Sequence, residues 1–225
     1  MGKAIAVLGH YGSGKTEFSV NYAMHLKRSG VKTALLDLDI ANPYFRSRER
    51  QKMLEEMGIS IYFNEYGFDI AEDLPAITAK IRTPLEDETC TTVADIGGND
   101  SGARIMNQFR KYFLAKETER YLVVNANRFE TDTLEGALFQ EETGLSITGI
   151  VNNTHMLTET TTDDILKGYE LCQKLSRSTG IPIVFSTCAK HLEDELKAQT
   201  KDDPDFRIFP MTLQMRPSWL DVPVG

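Results

Sequence analysis

GHYGSGKT, Gly9 to Thr16, is the segment whose residue types and spacing point most directly to chemistry. It fits GxxxxGK[ST], the pattern of a loop that cradles phosphate. Small glycines let consecutive backbone N–H groups curl around a β-phosphate, and a following helix N-terminus adds partial positive charge. Lys15 would reach the β- and γ-phosphate oxygens, and the Thr16 hydroxyl is placed to ligate Mg²⁺. The candidate contacts are Gly9, Tyr11, Gly12, Ser13, Gly14, Lys15, Thr16 and Glu17. An accidental glycine-rich turn is the alternative; the apolar run Lys3 to Leu8 before the motif and the helical pattern from about Lys15 argue against it.

Two further segments carry carboxylates. DLDIANPYFRSRE, Asp37 to Glu49, places two acids two residues apart beyond a second apolar run. Asp39 is the candidate for organising Mg²⁺ or an attacking water and forms the catalytic pair with Lys15, while Asp37 is expected to face the lysine. A turn-capping pair is the alternative, since Asn42-Pro43 reads as a turn. TTVADIGGND, Thr91 to Asp100, is a Walker B pattern. Asp95 would hold a Mg²⁺-bound water, and Gly98 lets a backbone N–H approach the γ-phosphate. The metal set is therefore Thr16, Asp39 and Asp95.

GIVNNTH, Gly149 to His155, ends an apolar run in two amides, of which Asn153 is the candidate contact to a purine base. An ordinary Asn-rich turn would look the same. Guanine-selective NTPases carry an acid two residues beyond the lysine of NKxD. Here the sequence is NTHM, which favours adenine.

These residues must be positioned by something, and short aliphatic runs alternate with amphipathic stretches along the whole chain. Lys3–Leu8, Lys32–Leu36, Ser60–Phe63, Thr91–Ala94, Tyr121–Val124, Ile147–Val151 and Ile183–Phe185 read as strands. Phe18, Tyr22 and Leu26 recur at helical spacing with Gly30 as the stop. A second helix is expected over Thr162 to Ser176, with Thr162 and Asp163 as cap candidates and Ile165, Tyr169, Leu171 and Cys172 on one face. Such alternation predicts an α/β fold with a mostly parallel sheet and helices on both faces. Ligands in such sheets bind beyond the carboxyl ends of the strands, and each motif above follows one.

The chain has 225 residues, 41% hydrophobic and 26% charged, and no Gly/Ser/Pro-rich linker or repeat divides it. One domain, residues 1–225, is expected. With 33 acidic against 25 basic residues the net charge is -8, which argues against nucleic acid as the main partner. No run approaches the roughly 18 apolar residues of a membrane span, and the opening lacks a signal peptide's length, so a cytoplasmic location without membrane contact is expected. Cys90, Cys172 and Cys188 are odd in number and far apart, and are expected to be reduced, buried thiols.

With its four motifs in this order, the chain resembles the MinD/ParA class of P-loop NTPases, which includes the CobQ/CobB amidotransferases, dethiobiotin synthetase and the nitrogenase iron protein. GHYGSGKT, DLDIANP, DIGG and the GIVNN strand end carry the resemblance. It implies a three-layer P-loop NTPase fold binding ATP and Mg²⁺ through Lys15, Thr16, Asp39 and Asp95, with Asn153 at the base. Members with a KGGxGKT loop carry a signature lysine that reaches a partner's nucleotide; here His10 holds that position. A histidine is shorter and mostly neutral at pH 7, so the resemblance does not extend to that lysine.

The leading expectation is a slow Mg²⁺-dependent ATPase acting as a nucleotide switch or regulator through the segment Asp39 to Arg48, with a protein partner or a homodimer. One rival is an ATP-dependent kinase or ligase of the dethiobiotin synthetase type, its small acceptor near Asp39 and Asn99. Another is a catalytically inactive nucleotide-binding module. Arg46, Arg48, Arg50 and Lys52 read as a solvated helix face, Arg46 being the best candidate for a phosphate contact. His25, His155 and His191 have no metal-ligand spacing and read as surface or structural. The tail from Met211 to Gly225 is too broken by prolines for a membrane helix and is expected to pack back on the domain.

Overall fold

The computed structural model describes residues 3–39, 50–63, 74–97, 107, 109–115, 117–127 and 146–215. They hold eight strands: β1 (Lys3–Leu8), β2 (Thr33–Leu38), β3 (Ser60–Phe63), β4 (Thr91–Ile96), β5 (Glu119–Val124), β6 (Gly149–Asn152), β7 (Ile183–Ala189) and β8 (Ile208–Met211). These form one sheet in the order β3-β2-β4-β1-β5-β6-β7-β8. Every neighbouring pair is parallel. The helices are α1 (Lys15–Arg28), α2 (Gln51–Glu56), α3 (Leu74–Glu86), α4 (Arg110–Phe113), α5 (Thr162–Thr179) and α6 (Glu193–Gln199).

Side chains alternate across a strand, so each strand sends one set of residues to each face of the sheet. Ala4, Ala6, Leu8, Leu36, Ala94, Ile96 and Leu122 face a layer built from Ile81 and Leu85 of α3, Tyr112 and Phe113 of α4, and Cys172 and Leu175 of α5. Their neighbours Ile5, Val7, Leu35, Val93, Tyr121 and Val123 face Phe18, Val20 and Ala23 of α1 and Leu54 of α2. The three layers follow from this alternation, since a parallel sheet must be covered on both sides. A smaller core of Ile165, Tyr169, Cys188, Leu196 and Phe206 seals α5 and α6 against the sheet edge.

The chain runs through β2, β3 and β4 on one side of β1 and from β5 onward on the other. That reversal opens a crevice beyond the carboxyl ends of β4, β1 and β5, where open α/β sheets bind ligands. Two details differ from the sequence-based expectation. The cap of α5 is Thr161, in a capping box with Asp164, one residue ahead of the expected Thr162. An eighth strand, β8, adds Ile208–Met211 to the edge beside β7; four residues containing Pro210 lack the alternation that reveals longer strands. The three cysteines are free and buried, as expected. Among the described residues no helix is long and apolar enough to cross a membrane.

Gly168, in the middle of α5, sits where a Cβ would collide with Thr154 Oγ1 and Asn152 Oδ1 at the end of β6. The missing side chain lets α5 approach that end closely. In an exposed helix interior Gly→Ala stabilises by about 1 kcal/mol. Here the sign should reverse. Gly168→Ala is expected to cost about 1–3 kcal/mol, read as a lower denaturant midpoint at unchanged m-value.

Candidate functional site

The loop from Gly9 to Thr16 leaves β1 at the crevice. A Cβ on Gly9 would lie 2.7 Å from the Val123 carbonyl of β5, so only glycine lets the loop exit that close to the neighbouring strand. Gly12 and Gly14 take φ of 81° and 82°, the left-handed region that costs other residues strain. The turn closes through the Ser13 N–H donating to the His10 carbonyl at 3.1 Å. Gly14 is the N-cap of α1 and supplies no side-chain acceptor. The first-turn N–H groups therefore rely on a partner from outside the helix, as at anion-binding helix N-termini. Ser13, Lys15 and Thr16 are buried, whereas Tyr11 stands out at 57% exposure.

Register brings the acids to the same place. Asp37 on β2 pairs laterally with Asp95 on β4, and Val7 of β1 flanks Asp95 on the other side. Asp37 and Asp95 follow Leu35 and Val93 by two residues, so they project to the face that α1 covers. Asp39, two residues further, joins them. Asp37 is expected from the sequence to face the lysine; the ion pair of Lys15 is with Asp39, Nζ to Oδ2 at 2.6 Å, with both side chains about 5% exposed or less. Asp37 accepts the Asp39 N–H at 3.3 Å. A four-carbon stem from the first turn of α1 reaches past the strand end to the residue beyond it.

Asp95 is fully buried, and neither of its oxygens completes a well-formed hydrogen bond among the described residues. Burial pushes its carboxyl up to about 7; the nearby charges of Asp37 and Asp39 add to this, while Lys15 and the Thr16 hydroxyl oppose it. Among the described residues, Lys15, Asp37, Asp39 and Asp95 thus share the mouth of the crevice. Asp95, the Thr16 hydroxyl and Asp39 are hard oxygen donors of the kind Mg²⁺ prefers, although no three acidic, histidine or cysteine residues among the described residues are grouped closely enough to hold a metal by themselves.

Asn153 is buried, and its side chain is committed within the protein: Nδ2 donates to the Ser13 carbonyl at 2.7 Å and Oδ1 accepts from the Thr187 hydroxyl. It ties β6 and β7 to the phosphate loop. Residues that sequence reasoning passed over complete this bracing. Asn125, beyond β5, accepts N–H groups from Asn127 and His155, and Thr154 Oγ1 accepts from the Ala126 N–H. Like Asn153, Asn125 is a polar residue at a strand's carboxyl end, and the rule that located the other motifs would have found it. His155, expected to be surface or structural, places Nε2 3.1 Å from where a Gly14 Cβ would be. Beside it Met156 and Leu157 are half exposed, Leu157 with φ of 55°.

The Glu17 carboxylate is directed to the backbone of Gln214 and Met215, away from the loop. Burial raises its pKa, against the pull of those two N–H groups, Asn21 and Arg50. Gly98, Asn99, Tyr44, Phe45, Arg46 and Arg48 lie outside the described residues, as does the tail beyond Met215. Met215 itself is buried against the α1 face of the sheet.

No protein-family model matches the chain, and no curated protein does. Solved structures do. The chain is similar to the cell division protein FtsY from Thermotoga maritima, with 20% identity, a TM-score of 0.57, and 81% of this chain aligned to 60% of that one. It is similar to the signal recognition particle 54 kDa protein from Aeropyrum pernix in complex with GDP, with 22% identity, a TM-score of 0.55, and 82% of this chain on 41% of that one. A third is the nucleotide-binding protein from Archaeoglobus fulgidus in complex with ADP, with 19% identity, a TM-score of 0.52, and 81% of this chain on 79% of that one. The chain thus spans less than two thirds of the first two proteins. What these likenesses show is the fold, that of the P-loop NTPases.

Asp95→Asn keeps the shape of the side chain and removes the cost of ionising a carboxyl that burial disfavours. In metal-free buffer the variant should melt later, by about 2–4 °C for each kcal/mol relieved. The folded chain holds the Asp95 proton up to about pH 7, while the unfolded chain releases it near pH 4. This group's contribution to stability therefore declines as pH rises through that window, and the variant's advantage grows. Thermal denaturation of both proteins across the window checks this.

Proposed function

We propose that this chain binds ATP with Mg²⁺ at the Gly9–Thr16 loop, hydrolyses it slowly, and uses the segment beginning at Asp39 as a nucleotide-sensing switch. The observation that carries this reading is the buried ion pair between Lys15 and Asp39. A triphosphate competes for that lysine. Each phosphate oxygen that Lys15 takes up frees the Asp39 carboxylate, so occupancy of the loop is converted into movement of the first residue of the segment that follows β2.

In the bound state the backbone N–H groups of Gly12 to Thr16 would surround the β-phosphate, and Lys15 Nζ would neutralise charge on the β- and γ-oxygens. Asp39, released, would accept a hydrogen bond from the attacking water and orient it toward the γ-phosphorus. Thr16, Asp95 and Asp39 would hold Mg²⁺, directly or through water, and Gly98 would add an N–H at the γ-phosphate. When bound, the metal neutralises phosphate charge that the single lysine leaves uncompensated. Asn153 keeps the loop in register with β6. Two features support adenine over guanine: the chain carries no acid in NTHM, and Met156, where that acid would stand, is half exposed.

Calorimetric titration with ATP, GTP and a non-hydrolysable ATP analogue, with and without Mg²⁺, followed by phosphate release, tests the reading. Mg²⁺-dependent ATP binding with slow release is expected. Binding without release under any condition would leave an inactive module, and release stimulated by a small acceptor would favour a kinase or ligase. Absence of all nucleotide binding would overturn it.

Two substitutions separate the roles. Lys15→Ala should weaken ATP binding at least 100-fold, a loss of about 2.7 kcal/mol. In metal-free buffer Asp39→Asn should bind ATP as tightly as the wild type or tighter, because the lysine no longer has a competitor, while Mg²⁺-dependent turnover falls by about 10²- to 10³-fold.

A further inference from the structure

The helix that begins at the phosphate loop is also held by the chain's far end. Glu17, one residue after Thr16, accepts the Gln214 N–H at 2.6 Å through Oε1 and the Met215 N–H at 3.0 Å through Oε2. One turn on, Asn21 donates to the Thr212 carbonyl and accepts the Thr212 N–H, both at 3.0 Å, an exchange of the kind two paired strands make. Asn21 Nδ2 also donates to Glu17 Oε1 at 2.9 Å, locking the two side chains together. Residues 212–215, leaving β8, thus form a strap whose backbone hydrogen bonds are supplied by one face of α1. Met215 is buried at 4% exposure in the same core as Phe18 and Val20.

A strap of this length could be anchored by Met215 alone. A half-buried carboxylate is a costlier anchor, because it must be partly desolvated, and it fixes direction as well as distance: two N–H groups converge on it from a single orientation of the chain. Its position matters too. Glu17 stands in the first turn of α1, between the residue that reaches the phosphates, Lys15, and the core-filling Phe18. Any shift of that turn when the loop closes on phosphate is passed to Gln214 and Met215 without an intervening flexible segment. Arg50, just ahead of α2, lies close enough for its charge to act on Glu17.

We propose that Glu17 and Asn21 are positioning residues that brace the phosphate-binding turn of α1 against the strap at 212–215, so that nucleotide occupancy and docking of the strap favour each other. This rests on the nucleotide site proposed above. Coupling between two events is reciprocal: the factor by which a docked strap tightens nucleotide binding is the factor by which nucleotide tightens the strap. A strap that only adds stability would protect the free and bound forms equally and leave affinity unchanged.

Amide hydrogen exchange on the full wild-type chain, with and without the non-hydrolysable ATP analogue and Mg²⁺, reads one side of the coupling. Exchange at Gln214 and Met215 should slow by about 5- to 20-fold on binding, within the usual range for coupled sites. Calorimetry on Glu17→Gln, whose amide turns one acceptor into a donor facing those N–H groups, reads the other. Its analogue affinity should fall by the same factor, with kcat at saturating ATP changed less than Kd. Asn21→Ala, which removes both contacts with Thr212 and leaves the Glu17 carboxylate facing Gln214 and Met215, should show a smaller loss and serves if Glu17→Gln does not fold. The brace is overturned if the analogue binds wild type but leaves the strap amides unchanged, or if Glu17→Gln frees the strap while affinity stays within twofold. If wild type binds no nucleotide, the site reading and the brace both fall, and the titration alone reveals which failure has occurred.

Discussion

Lys15 is a cation enclosed among carboxylates, and most of the structure around the crevice can be understood as managing the charge imbalance among the described residues. Its ion pair with Asp39 is nearly dry, so the mutual attraction is strong, and Asp37 and Asp95 bring further carboxylates beside it. Burial and like charges drive Asp95 to keep its proton near neutral pH, which is the protein's own partial remedy. A divalent cation and a polyanion arriving together would be a fuller one. In the function proposed above, the cation would take the oxygens and the phosphates would take the lysine and the backbone N–H groups, a physical reason for the two to bind together.

Register across β2, β4 and β1 is what assembles this imbalance. Asp37 and Asp95 are paired neighbours, and a slip of one residue in either strand would turn one acid to the face covered by α3, α4 and α5. The hydrophobic alternation that forbids the slip is the same alternation that builds the two core layers. The acids are held in place by Leu36, Leu38, Ala94 and Ile96, which have nowhere else to go.

The other half of the sheet acts on the loop from behind. Asn153 from β6 reaches the Ser13 carbonyl, Thr187 from β7 holds Asn153, and Asn125 with Thr154 joins the ends of β5 and β6. Glu17 and Asn21 extend the bracing to the strap after β8. These contacts are polar and buried or half-buried, so leaving one unsatisfied costs stability, and together they limit the loop to few arrangements.

Seven of the eight strands, the helix at Lys15 and the phosphate loop were legible from the residues, because alternation, helical spacing and a glycine pattern are local signals. So were the acids at the strand ends, since ligand sites in such sheets follow from chain direction. The pairing of Lys15 with Asp39 was not, because both acids lie within the lysine's reach and only the strand's path past Leu38 decides between them. Nor was the turning of Asn153 and Glu17 toward backbone inside the protein, where sequence placed both beside nucleotide. Those partners sit 140 and 197 residues away along the chain. Local pattern names the groups able to do chemistry, but which group faces which is settled by packing, where contacts between distant segments outweigh what neighbours in sequence prefer.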